Sequence, residues 1–488
     1  MGTCCGARRE AQPPSHSNFF RSGNWRPGAA SVGARLRGQS APSPIPSPPM
    51  FSLFLAATCA LSPLPQSELQ GVHCGQFWSD PTVDAQTNVL LLIREGKIEQ
   101  VLTAGEDWPE DILIHDLTKA FVMPGWIDCH VHLTGELSRE SRMEYVTQSE
   151  AAVTLRTVLY ARRTVEAGFT TVRDLGADTG AIFAVRDSIT RGEIPGPLIL
   201  AAGSAVTPSG GHGDPTHGFR ETLFDLPGIS EGVADGVAQC RAAVRHQVRR
   251  GADVIKLTAT GGVLSDTAAG TDQQFFEDEL SAIIDTAHML GRRVAAHAHG
   301  SAGMAAALRA GVDSIEHGSF LNEECLTLFL EHETWLVPTL HAGQTVVTYA
   351  EDPDWFPPEI ARKAREVGPV MMSSLGKAHK AGVRIAFGTD CGVGAHGRNA
   401  EEFSLMMRAG MSPTAVLTAA TRGAAQLCGL EASHGRLAPG FAADLVALGG
   451  DPRVSIELTE RPVAVMRGGR KILWQGQRVA WKEVSPQK

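Results

Sequence analysis

Between about residues 123 and 435 the chain repeats one unit, a short apolar, strand-like run followed by an Ala/Leu/Arg-rich helical stretch. The runs fall at 170–173, 198–200, 254–255, 294–296, 314–315, 336–337 and 385–387. Strands separated by helices pair in parallel, because each crossover helix returns the chain to the same end of the sheet. About seven or eight such units suggest an α/β fold of the closed (β/α)8 TIM-barrel type over an open doubly wound sheet. Shorter apolar runs flank this region, at 89–93 and 112–114 before it and at 443–448, 464–466 and 471–474 after it. Glu95-Gly96-Lys97 reads as a hairpin turn between two of them. Each flank alone has too few strands to be stable. Residues 70–122 and 436–480 are therefore expected to combine into one small β-sandwich beside a barrel spanning 123–435.

The first 49 residues are a different material. They hold six Arg, no Lys, one acid (Glu10) and eight Pro, without helical or strand periodicity, and read as a disordered head. Met50 stands as a rival start. The apolar run 51–61 has the length of a signal peptide but no basic residues of its own, so 50–69 is a signal-like segment and both cytoplasmic and exported locations stay open. No run reaches the ~18 apolar residues of a membrane span. The nine cysteines are scattered without a CxxC pair and decide no compartment. A net charge of −9, from 44 Lys plus Arg against 53 Asp plus Glu, argues against a nucleic-acid partner, which requires a basic face. A homo-oligomer is compatible with this composition.

The chemistry lies in where polar residues interrupt the apolar runs. His130, His132, Lys256, His297, His299, His317 and Asp390 all sit at or just beyond the C-terminal end of a run, the active face of such a barrel. In Ile127-Asp-Cys-His-Val-His132 the two histidines at i and i+2 point to one side of a strand and can grip one metal ion. His297 and His299 repeat that spacing, and Asp390 ends Phe387-Gly-Thr-Asp390. Lys256, inside Asp253-Val-Ile-Lys-Leu257, is the odd residue, since lysines are almost never fully buried unless paired. Its plain reading is an ion pair with a barrel carboxylate. The sharper one is that a desolvated, neutral amine takes up carbon dioxide and becomes a carbamate that bridges two metals. Taken one by one, each of these residues also has a structural explanation, but so many at successive strand ends point jointly to a metal site.

These residues, with Met123-Pro-Gly-Trp-Ile-Asp-Cys-His-Val-His-Leu133, Thr170-Thr-Val-Arg-Asp-Leu-Gly176 and Leu437-Ala-Pro-Gly-Phe-Ala-Ala-Asp-Leu-Val446, resemble the metal-dependent amidohydrolase superfamily over about residues 70–480. Lys256 together with Val206-Thr-Pro-Ser-Gly-Gly-His-Gly-Asp214 resembles its Xaa-Pro dipeptidase branch, which includes carboxypeptidase-like and ochratoxin-hydrolysing members. Imidazolonepropionase is similar in pattern, but it uses one metal without the bridging lysine, so Lys256 argues against it. The resemblance implies that His130, His132 and Asp390 hold one Zn²⁺ and His297 and His317 the other, bridged by the Lys256 carbamate. It further implies that Asp390 moves the proton, that His299 hydrogen-bonds the carbonyl or carboxylate of a small amide substrate, and that His212 reaches that substrate. No Gly-x-Ser-x-Gly elbow, Walker A loop or zincin helix competes with this reading. The remaining alternative is a non-catalytic barrel used as a scaffold, which has no reason to keep Lys256 and Asp390 together.

Overall fold

The computed structural model describes residues 69–481 apart from Asp178 and residues 266–269, so the head and nearly all of the apolar segment lie outside the described residues. The first strands are β1 (Gln70–Phe77), β2 (Gln86–Arg94), β3 (Lys97–Leu102) and β4 (Leu113–Pro124). The middle of the chain supplies β5 (Trp126–Val131), β6 (Phe169–Asp174), β7 (Leu198–Ala201), β8 (Val254–Thr258), β9 (Arg293–Ala298), β10 (Ser314–His317), β11 (Trp335–Val337) and β12 (Arg384–Ile385). The last strands are β13 (Leu445–Leu448), β14 (Ala464–Arg467), β15 (Arg470–Trp474) and β16 (Gln477–Arg478).

β5 to β12 are parallel and lie in chain order in two ladders, β5–β6–β7 and β8–β9–β10–β11–β12. Backbone hydrogen bonds join the ladders at both seams. On one side Val206 N donates to Lys256 O at 2.8 Å and Thr258 N to Val206 O at 3.0 Å. On the other, Cys129 N donates to Phe387 O at 2.8 Å and Asp390 N to His130 O at 2.7 Å. Helices such as Glu150–Glu166, Ala181–Thr190, Gly236–Arg250 and Glu277–Met289 connect the strands. Strands covered on both faces read as unbroken apolar runs, and every residue of β5, β6 and β8 is buried. Burying a polar group is costly without a partner. Asp128, His130, Arg173, Asp174 and Lys256 in those strands therefore each need a specific partner.

The run at 385–387 ends as a strand sooner than its apolarity suggests, because only Arg384 and Ile385 pair with β11. From Phe387 onward the backbone leaves that ladder and bonds to β5 instead. Gly388 permits the crossing, since a Cβ there would lie 2.3 Å from Val337 Cγ1 and 3.2 Å from the backbone nitrogen of His130.

The flanks form one eight-stranded mixed sheet, ordered β16–β15–β14–β13–β4–β1–β2–β3. β13 pairs with the end of β4, Leu448 opposite Phe121 and Leu445 opposite Pro124, which ties the two ends of the chain together. Where two stacked sheets are expected, the hydrogen bonding is continuous through this pair, and the sheet encloses a core of Val72, Val89, Leu91, Leu445 and Met466. The β2–β3 hairpin turns on Glu95 (φ 52°) and Gly96 (φ 74°), two positive-φ residues as a type I′ turn requires.

Candidate metal centre

The polar residues at the strand ends converge on one cavity of about 320 Å³. Its lining includes His130, His132, His212, Lys256, His297, His299, His317 and Asp390, all eight of the residues singled out in the sequence. Lys256 Nζ lies 3.4 Å from His130 Nε2. Asp390 Oδ1 lies 3.1 Å from His132 Nε2 and 3.5 Å from His130 Nε2, and is otherwise a buried oxygen that finds no hydrogen-bond donor. The donor atoms of His130, His317 and Asp390 lie within 4.8 Å of one another, as do those of His297, His299 and His317. His299 thus sits inside the imidazole cluster, its ring centroid 4.8 Å from that of His317. His212 packs 4.2 Å from the His297 ring, over Gly262, where any Cβ would lie within 2.6 Å of the imidazole.

Most of these histidines are held by one ring nitrogen, which leaves the other facing the cluster. His130 Nδ1 meets Glu316 Oε2 at 2.9 Å, His132 Nδ1 the Gly176 carbonyl at 3.1 Å, and His317 Nδ1 Thr339 Oγ1 at 2.7 Å. His299 Nδ1 meets Ser319 Oγ at 2.6 Å. His297 is the reverse case, with Nε2 toward the Gly261 carbonyl at 3.3 Å. Metal-ligating histidines are oriented by such outer partners, and the donor set fits a divalent ion of the zinc type. Two members also carry backbone strain, His317 at φ 73° and Asp390 at φ 57°. Positive φ outside glycine costs energy and persists where the surroundings over-determine a functional geometry.

Electrostatics agree with that use. Burial pushes His130, His297 and His317 well below their ordinary range and His212 and His299 to about 3, so these five rings are neutral at physiological pH. Burial lowers Lys256 from 10.5 to about 8 against the pull of Glu316 and Asp390. Burial alone would raise Asp390, but His130 and His132 hold it below the usual carboxylate value and keep it ionised. The same carboxylate outweighs burial at His132 and raises that ring.

Beneath the cavity lies a set of charges that the sequence reading does not single out. Glu316 is fully buried and takes Arg173 Nη2 on Oε1 at 2.9 Å while Oε2 holds His130. Arg173 Nε also donates to the Cys129 carbonyl at 2.6 Å. Asp128 accepts from Thr389 Oγ1 at 2.6 Å and Asn399 Nδ2 at 2.8 Å, strapping β5 to the turn that carries Asp390. Asp174 accepts from Leu133 N at 2.7 Å and steadies the exit of β5. The signal that could have found them is the one that exposes Lys256, a charged residue inside an apolar strand run.

Residues 121–472 match the model of the amidohydrolase family. The chain belongs to the amidohydrolase family. Ochratoxinase from Aspergillus niger is 33% identical over 371 residues, covering 73% of this chain and 74% of that protein. A crystal structure of a Xaa-Pro dipeptidase with bound methionine in the active site superposes with a TM-score of 0.80 at 35% identity, over 83% of this chain and 99% of the other. Imidazolonepropionase from Chromobacterium violaceum is 26% identical, over 73% of this chain and 84% of that protein. As an amidohydrolase the chain is a hydrolase acting on amide bonds, of a family that is generally metal-dependent and takes small substrates. Among the described residues no helix is long and apolar enough to cross a membrane.

Proposed function

We propose that this amidohydrolase is a binuclear zinc enzyme that cleaves the amide bond of a dipeptide or N-acyl amino acid on a closed (β/α)8 barrel. In this reading His130, His132 and Asp390 bind one ion, and His297 and His317 the other. Lys256, carrying carbon dioxide as a carbamate, would supply an oxygen ligand to these ions. The observation that carries it is the position of Lys256. Its amine is buried in the middle of β8, next to His130, among imidazoles that burial keeps neutral. At pH 7.4 a lysine at about 8 is roughly 20% neutral, against about 0.1% for one at 10.5. Only the neutral amine can form a carbamate, and that reaction replaces a cation with an oxygen ligand. The alternative use of Lys256, a simple ion pair, leaves Asp390 Oδ1 and the inward imidazole nitrogens without a purpose.

Ions bound there supply a water activated near neutral pH and polarise the substrate carbonyl. The chain's own groups do the rest. Asp390, ionised and fixed by its turn, accepts the proton at Oδ1 and returns it to the nitrogen of the leaving amine. His299, neutral and positioned by Ser319, hydrogen-bonds the substrate carbonyl or carboxylate. His212 faces the substrate from the opposite loop. Val346, Val367 and Met371 form an apolar wall that excludes water and takes an apolar portion of the substrate. The similar Xaa-Pro dipeptidase structure, with methionine bound in its active site, supports a dipeptide amide as the substrate. A panel of dipeptides and N-acyl amino acids varied at the C-terminal residue, assayed with zinc-loaded enzyme, tests the reading. Turnover should appear within this panel and fall when the C-terminal side chain is charged, and a wholly inert panel would overturn the substrate class.

A further inference from the structure

Behind the cavity, on the outer face of β5, two cysteines lie against each other. Cys129 Sγ and Cys428 Sγ are 3.8 Å apart, with Cys129 fully buried and Cys428 partly open to solvent at the end of the helix Ala424–Cys428. They share an apolar packet with Ile127, Val337, Ala386 and Leu427. The helix is firmly held there, since Gly429 closes it in the left-handed conformation and Arg293 donates to the carbonyls of Gln426 and Leu427. Cys428 shares a hydrogen bond with Cys129 in which either sulfur can donate, and this contact, with the nearby Arg173 and Arg293 guanidiniums, holds Cys428 below the usual thiol range. A buried thiol facing a more exposed one with thiolate character is the arrangement of a resolving and an attacking cysteine.

We propose that Cys428 and Cys129 are a peroxide-sensitive pair that closes to a disulfide and thereby weakens the neighbouring catalytic centre. The Cys428 thiolate attacks hydrogen peroxide, forming an S–O bond, breaking the O–O bond and releasing hydroxide, so that sulfur is oxidised to the sulfenic acid and peroxide reduced. The Cys129 thiol then attacks that sulfur, forming the S–S bond. The sulfenic hydroxyl leaves as water, taking the Cys129 proton. Closing the bond requires the sulfurs to approach by about 1.8 Å, to the usual S–S length near 2 Å. Cys129 immediately precedes His130, so the approach draws on the strand that presents that imidazole to the cavity.

The test uses the full chain with its metal, treated with hydrogen peroxide, digested without reduction and mapped by mass spectrometry, with activity followed in parallel on any substrate turned over. The inference predicts a peptide cross-link joining Cys129 to Cys428, a several-fold loss of activity on the same time course, and recovery with dithiothreitol. Cys428→Ser should abolish the cross-link and keep its activity under peroxide; should that variant fold poorly, Cys129→Ala serves the same purpose. Failure to find the cross-link, a cross-linked enzyme with undiminished activity, or equal inactivation of Cys428→Ser would each overturn it. Metal content measured on the oxidised protein reads the site directly and needs no substrate, so the outcome is separable from an error in the proposed reaction.

Discussion

Replacing Glu316 with glutamine keeps the shape of the side chain and removes the charge that faces both Arg173 and His130. The ion pair is almost fully enclosed, with the Arg173 and Glu316 side chains 2% and 0% exposed. Breaking a buried pair by removing one partner costs about 3–5 kcal/mol, because the remaining charge stays desolvated. The amide introduced by Glu316→Gln would retain one oxygen for Arg173 or His130, so the lower end, about 3 kcal/mol, applies. Against a typical total of about 5–15 kcal/mol this is a large fraction, and at roughly 1 °C per kcal/mol for a chain of 488 residues it lowers the melting temperature by about 3–4 °C. The His130 ring also loses the acceptor that fixes its Nδ1–H, and loss of such an outer partner weakens metal binding by about 10–100-fold. Thermal unfolding of the metal-free and zinc-loaded forms, with competitive chelator titration, measures both effects. A Glu316→Gln protein with unchanged melting temperature and unchanged zinc affinity would refute the reasoning.

Other substitutions separate the remaining roles. Lys256→Ala should lose most metal and activity, and short carboxylic acids added to the mutant should partly restore both, whereas Lys256→Arg, always charged, should not be functional; metal analysis and turnover with and without added acid decide it. Asp390→Asn should cut kcat by about 10²–10⁴ through loss of the proton carrier while metal content falls far less, and retention of near-normal kcat would move that role to His299. Burial lowers Lys256 from 10.5 in the unfolded chain to about 8, so between those pH values the unfolded chain binds more protons and the metal-free protein gains stability as pH rises. The full gain is ~3 kcal/mol, and chemical denaturation of chelator-treated Lys256→Met should lack it.

A sequence carries most plainly the features that have a period or a charge in the wrong place. The site residues at five strand runs were legible because an apolar run followed by His, Lys or Asp is rarely accidental, and each of those side chains lines one cavity. The early end of β12 was not, because it depends on Gly388 meeting Val337 and His130 from distant parts of the chain. The roles of Glu316, Arg173 and Asp128 were hidden for a similar reason. Their partners lie 271 residues apart for Asp128 and Asn399, and 143 for Arg173 and Glu316. The strain at His317 and Asp390 is likewise set by contacts between distant strands and has no local signature. The flanking strands were readable as elements, but their union into one sheet depends on β4 extending far enough to meet β13, which alternation alone does not fix.

The central claim is that Lys256 bridges two ions as a carbamate, and carbon-13 NMR tests it most directly. Metal-free protein reconstituted with zinc in the presence of ¹³C-bicarbonate should bind about two ions per chain and show a carbamate resonance that Lys256→Ala lacks. A fully active enzyme with one ion per chain and no carbamate signal would contradict the account.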